Sequence, residues 1–245
     1  MVSFIPSGRA GNFLFEAATA LSYSLKHGLE FSSPIRTNDN FWNPVYLEHL
    51  HKPDYDYGLE TISIPERGHE YQELPFEEHW RSRNILIDGY RQSEKYFKEH
   101  REEILYLFNL PYEKRDGLVS VHVRRGDYIH LTYKHPPVTK EWYEDAMSKF
   151  PGFRFKFFSD EISWCRQEFG NRTDCDFSTN TNELDDLIEA SYSEHDIISA
   201  STFGWWIAWL NRNPNKKIYL PKLWFVEGFG GLKVDDIVPD EWIKL

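Results

Sequence analysis

A short apolar strand that ends in two arginines and a glycine constrains this chain more than any other stretch. Val119, Val121 and Val123 alternate with Leu118, Ser120 and His122, the period of a strand. The strand runs into Arg124-Arg125-Gly126-Asp127-Tyr128, so two guanidiniums stand at its C-terminal end beside a residue that lets the backbone turn sharply. Ligands of α/β sheets bind beyond the carboxyl ends of strands, and a planar guanidinium fork suits phosphate oxygens. The stretch reads as a diphosphate-binding corner. Arg-Arg pairs also occur as solvated surface charge, but the strand, the glycine and Asp127 favour a site. An Arg125-Gly126-Asp127 adhesion tripeptide would need an exposed loop of a secreted protein, and nothing else in the sequence supports one.

The surrounding pattern alternates strand and helix. Val2 to Ile5 is a strand candidate, then Gly8-Arg9-Ala10-Gly11-Asn12 forms a glycine turn. A helix follows, with Leu14, Ala17, Ala18, Leu21 and Leu25 on one face and Gly28 as its stop. Two glycines do not make a dinucleotide fingerprint, yet Arg9 and Asn12 put polar groups at that helix start. Residues 29–84 show little periodicity and are expected as loops and short elements. Asn84 to Ile87 reads as a strand, Ser93 as the cap of a helix running to Phe108 and closed by Pro111, and Pro111 to Gly117 as the boundary between domains 1–115 and 116–245.

The second half continues the alternation. A helix starts near Thr139, and a strand over Phe153 to Phe158 ends in Ser159-Asp160, where a carboxylate can cap the next helix or accept from a guanine edge. Asn182 caps another helix, Asp196 to Ala200 is a strand, and Ile218 to Leu220 completes a further step. Between these, Ser201-Thr202-Phe203 leads into a tryptophan-rich helix, where hydroxyls and free backbone N–H groups make a second phosphate candidate. Two Rossmann-like α/β domains without an evident internal repeat are expected.

Charge and cysteine content narrow the function. The 39 acidic against 28 basic residues give a net charge of -11, which argues against nucleic-acid partners. Any phosphate site is therefore local. Cys165 and Cys175 lack zinc spacing and are expected as free thiols of a reducing compartment. Asp54-Tyr55-Asp56 and Asp174-Cys175-Asp176 match the Asp-x-Asp form that holds a divalent ion in some sugar-nucleotide enzymes, but neither directly follows an apolar strand. The first residues lack the charged and apolar regions of a signal peptide, and no run reaches the ~18 apolar residues of a membrane span, so a cytoplasmic protein is expected.

The chain resembles the α-1,2-fucosyltransferases of glycosyltransferase family 11. The blocks that carry the resemblance are Gly8 to Asn12, Gly89-Tyr90-Arg91-Gln92-Ser93-Glu94-Lys95-Tyr96-Phe97, His122 to Tyr128, Phe158-Ser159-Asp160, and Ser201 through Pro221. The resemblance implies a GT-B-like fold of two Rossmann-type domains facing across a cleft. It implies an inverting transfer of fucose from GDP-fucose to the 2-hydroxyl of a galactose-type glycan acceptor, with no cofactor and no catalytic metal. The same resemblance places Arg124 and Arg125 on the diphosphate with Ser201, Thr202 and Phe203 around it. Ser159 and Asp160 fall toward the nucleoside, and Arg9, Gly11 and Asn12 toward the sugar and acceptor. The catalytic candidates are Arg124, Arg125, Asn12 and Asp127, the last orienting an arginine.

Two departures bear on the acceptor edge. The family usually has Gly-Asn-Gln and then Phe-Gln where this chain has Asn12-Phe13 and Phe15-Glu16, and a shorter chain implies trimming between residues 29 and 84. Asn12 cannot act as a base because an amide lacks basicity, which leaves Glu16, one turn on, as a candidate. The rival readings are a GDP-fucose transferase acting on another sugar or a protein hydroxyl, and a non-catalytic module that stacks glycans on the chain's 9 Trp, 14 Tyr and 18 Phe.

Overall fold

The computed structural model describes residues 1–34, 45–52, 58–227, 229–231 and 233–245. The chain divides into two units, Met1–Leu110 with Leu232–Pro239, and Pro111–Gly231 with Asp240–Leu245. The second crossing was not anticipated: residues 232–239 return to the first unit. Lys95 pairs with Asp236, whose carboxylate also accepts the Tyr71 N–H at 2.8 Å.

Among its described residues the first unit holds three parallel strands, β1 (Val2–Phe4), β2 (Thr61–Ile64) and β3 (Asn84–Ile87), in the order β1-β3-β2. α1 (Ala10–His27) carries Phe13, Leu14, Phe15, Ala17 and Ala18 into the core. It ends as expected on Gly28, whose left-handed backbone (φ 60°) lets its N–H reach the Leu25 carbonyl. β2 was missed because the alternation of Thr61-Ile62-Ser63-Ile64 spans only four residues, of which Ile64 alone is buried. The helix expected from Ser93 is interrupted. Ser93 caps only a 3-10 turn over Glu94–Tyr96, the backbone leaves helical values at Phe97 (φ -147°, ψ -2°), and α2 (Arg101–Phe108) starts afterwards. It stops on left-handed Asn109 rather than at Pro111.

In the second unit, β4 (Arg115–Val123), β5 (Arg154–Ser159), β6 (Cys175–Phe177), β7 (Ser193–Ile198), β8 (Ile218–Leu220) and β9 (Ile243–Lys244) form one parallel sheet in the order β6-β5-β4-β7-β8-β9. Read in chain order this is 3-2-1-4-5-6, the Rossmann arrangement, and the strand order reverses between β4 and β7. The helices are α3 (Lys140–Ser148), α4 (Ile162–Phe169), α5 (Glu183–Ala190) and α6 (Thr202–Leu210). Asn182 caps α5 through its side-chain oxygen, as the sequence suggested, and α3 starts where expected, with Thr139 as its cap. Each half is thus a parallel α/β unit, in keeping with two Rossmann-type domains. Val119, Val121, Val123, Phe155, Phe157 and Ile197 bury one face of the sheet against Tyr143, Ala146 and Phe169, and each large side chain removed from water stabilises the unit by about 1.5–3 kcal/mol. That core fixes where β4, β5 and β7 end.

Candidate active site

Three neighbouring strands deliver their last residues side by side. Val123 of β4 pairs with Ser159 of β5, and His122 with Ile198 of β7, so Arg124, Asp160 and Ser199 emerge together at the switch point of the sheet. This is where a Rossmann sheet leaves a crevice, because the connections on its two sides diverge.

Arg124 is held on several sides. One terminal nitrogen pairs with Asp160 Oδ2 at 2.8 Å, the other with Asp127, and the guanidinium carbon lies 5.1 Å from the centre of the Tyr128 ring. Its backbone N–H donates to Ser199 Oγ at 3.1 Å. Arg125 is engaged differently. Its guanidinium stacks 4.1 Å from the Trp164 ring centroid and donates from Nε to Glu161 Oε2 at 2.9 Å, while its backbone N–H donates to Asp160 Oδ1 at 3.0 Å. Of the two arginines, it is Arg124 with which Asp127 pairs.

His122 is buried and lies behind this turn. Its Nδ1 lies 3.0 Å from Ser199 Oγ, the same oxygen that accepts the Arg124 N–H. Burial, reinforced by the Arg124 charge, pushes the His122 pKa down to about 3, so the ring is neutral. Gly204 is required at its position, since a Cβ there would stand 2.6 Å from His122 Nδ1.

Ser201 is the N-cap residue of α6, yet its side chain makes no cap hydrogen bond. Ser201 is buried, Thr202 and Phe203 are half-buried, and the first backbone N–H groups of α6 face the same end of the sheet. The tryptophans behind them, Trp205, Trp206 and Trp209, are core. Beside the arginine turn opens a pocket of about 400 Å³ including its mouth, lined by Arg124, Arg125, Tyr128, Ile129, His135, Pro136, Ser199 and Ala200 among others. His135 stacks on Tyr128 at 3.8 Å, and burial lowers its pKa to about 4.

The glycine turn of the first unit is built on other terms. Gly8 has φ 64°, and a Cβ on it would lie 2.2 Å from Asn12 Nδ2. Asn12 Oδ1 accepts from Gln92 Nε2 at 2.9 Å. The carboxylate of Glu16, buried at 1% exposure, accepts from the Ser7 N–H at 3.0 Å and from its hydroxyl. Glu16 therefore fixes the loop rather than standing free as a base. Gly11 is buried in the first turn of α1, and Arg9 is exposed, with no ion pair among the described residues.

Asp174 and Asp176 are paired with Arg172 and Arg154, respectively, and among the described residues no three metal-ligating side chains converge. Asp54-Tyr55-Asp56 lies outside the described residues. Sequence reasoning missed Ser199, Glu161 and Trp164, which act only through side chains brought in from other strands and helices. Among the described residues no helix is long and apolar enough to cross a membrane.

Residues 69–245 match the family described as Glycosyl transferase family 11. An Escherichia coli alpha-1,2-colitosyltransferase is 30% identical over 66% of this chain, and the E. coli O-antigen biosynthesis glycosyltransferase WbnK is 28% identical over 64%. The matched regions span 63% and 59% of the lengths of those two relatives. The galactoside alpha-(1,2)-fucosyltransferase 2 of Bos taurus is 25% identical over 93% of this chain and 78% of its own length. The family match takes in the arginine turn, Asp160 and the whole of α6, so the chain belongs to glycosyltransferase family 11.

Proposed function

We propose that this protein is an inverting, metal-independent fucosyltransferase that moves L-fucose from GDP-fucose to the 2-hydroxyl of a galactose-type acceptor. The observation that carries the reading is that Arg124 at the end of β4 and the start of α6 just after β7 stand at the same switch point of the sheet, in a chain of this family. As the bond between the anomeric carbon and the β-phosphate oxygen breaks, negative charge grows on that phosphate. A fixed guanidinium and helix-end N–H groups stabilise it without a metal ion. Asp127 is half-exposed, and an exposed ion pair is weakly held, so a phosphate oxygen can replace it on Arg124. Arg125 braces the turn through Trp164 and Glu161 and adds its charge, while Ser201, Thr202 and Phe203 close around the diphosphate.

The acceptor hydroxyl oxygen attacks the anomeric carbon on the face opposite the leaving GDP, and its proton departs late. Departure of GDP runs ahead of attack, so no strong base is required; this suits a chain whose base candidate, Glu16, is already bonded to Ser7. Arg9 and Asn12 of the first unit handle sugar and acceptor in this reading.

A second reading has a specific observation behind it. The E. coli relative at 30% identity is named for colitose, which is fucose without its 3-hydroxyl. Assay of both GDP-sugars with a panel of galactose-terminated acceptors, with product linkage read by NMR, decides. Turnover of GDP-fucose to an α-1,2-linked product supports the first reading, use of GDP-colitose alone the second, and glycan binding without GDP binding a non-catalytic module.

A further inference from the structure

Among the described residues, Asp160 is the one carboxylate that touches both arginines of the turn. Oδ1 accepts the backbone N–H of Arg125 at 3.0 Å, and Oδ2 pairs with the Arg124 guanidinium at 2.8 Å. The next residue of the turn, Gly126, makes room for it, since a Cβ there would stand 2.3 Å from Oδ2. Asp160 is not the cap of α4, whose N-cap residue is Glu161, and both its oxygens are engaged by the turn. It is also the better sheltered partner of Arg124, its side chain 24% exposed against 53% for Asp127.

We propose that Asp160 is a positioning residue that aims Arg124 at the anion, through a notch that Gly126 leaves open, and does not read the nucleoside base. The inference rests on the second unit being a nucleoside-diphosphate site. Asp160 sits on the end of β5, a strand locked to β4 over six residue pairs, so it does not move with the turn it holds. Asp127 lies on the same short turn as Arg124 and cannot give that reference. With Asp160 holding one terminal nitrogen and the Tyr128 ring under the guanidinium, the remaining N–H groups of Arg124 keep one direction. Without Asp160, the guanidinium follows Asp127 toward solvent.

Two substitutions reach this contact by different routes. Asp160→Asn removes the charge, whereas Gly126→Ala removes no polar group but displaces the carboxylate sterically. Calorimetric titration with GDP and with inosine diphosphate, which lacks the exocyclic amine of guanine, is expected to show both variants weakened about tenfold, as when one charge-assisted hydrogen bond is misdirected, and by the same factor for both nucleotides. Asp160→Asn added to Arg124→Gln is expected to weaken GDP no further than Arg124→Gln alone, because Asp160 acts through Arg124. A loss of GDP-over-inosine preference in Asp160→Asn but not in Gly126→Ala, or additive losses in the double variant, overturns the proposal in favour of a base contact. If the wild-type protein binds neither nucleotide, the diphosphate reading fails, and amide exchange at Arg125 still decides the positioning claim. Faster exchange in both variants supports it and unchanged exchange refutes it. Should Asp160→Asn fail to fold, Gly126→Ala carries the same comparison alone.

Discussion

The two glycine turns share a plan of strand, glycine and polar residue, yet they spend their polar groups differently. In the first unit, Glu16 is consumed by Ser7 and Asn12 by Gln92, so most of the loop's polarity holds the loop itself. In the second, Arg124 is clamped by carboxylates on two sides, while the Ser201 side chain is left out of the helix cap and a pocket opens alongside. The difference teaches that a glycine turn marks a possible site, and that the charge emerging from it, with its supports, determines what can bind.

The largest effect separating the two turns is expected from Arg124→Ala. Turnover of GDP-fucose should fall by about 10²–10³-fold, the loss seen when one donor to a developing oxyanion is removed, with little change in the thermal midpoint. Normal turnover in the folded variant would break the comparison. Gly8→Ala is the matching change in the first unit. It forces an alanine to φ 64° and into Asn12, at a cost of about 1–3 kcal/mol by urea titration. The effect should appear in stability, with the GDP affinity of the second unit unchanged.

Two buried groups of the second unit predict opposite pH trends. His122 titrates near 3 when folded and near 6.5 when unfolded, so the stability it supports is present above pH 6.5 and is lost as pH falls toward 3. Asp196 is buried with Ser120 and Asn211, and burial raises its pKa to about 6, so its contribution is present below pH 3.8 and is lost as pH rises through 6. Each is worth at most about 1.4 kcal/mol per pH unit within its window. Denaturant titrations from pH 4 to 8 on His122→Gln and Asp196→Asn should flatten one slope each. The smallest effect expected is none at all: EDTA should leave the transfer rate intact, and a loss rescued by Mn²⁺ would return the argument to Asp54 and Asp56.

Much of this was legible in the sequence because it is local. The strand before Arg124, the helix start near Thr139, the cap at Asn182 and the Gly28 stop all follow from residues within a few positions of one another. Short elements with weak patterns were not legible, as β2 and β9 show, and neither was the break at Phe97, where the chain leaves helical geometry despite a good cap. The supports of the site were the least visible. Asp160 stands 35 positions from Arg125 and Ser199 75 from Arg124, and only the parallel register of β5, β4 and β7 makes them neighbours.

The central claim is that the corner formed by Arg124 and the start of α6 binds a nucleoside diphosphate. Calorimetric titration of GDP into the wild-type protein and Arg124→Ala tests it without needing an acceptor. The wild type is expected to show a single GDP site, weakened at least about tenfold in the variant while both proteins melt at the same temperature. Equal GDP affinity in the two folded proteins would contradict it.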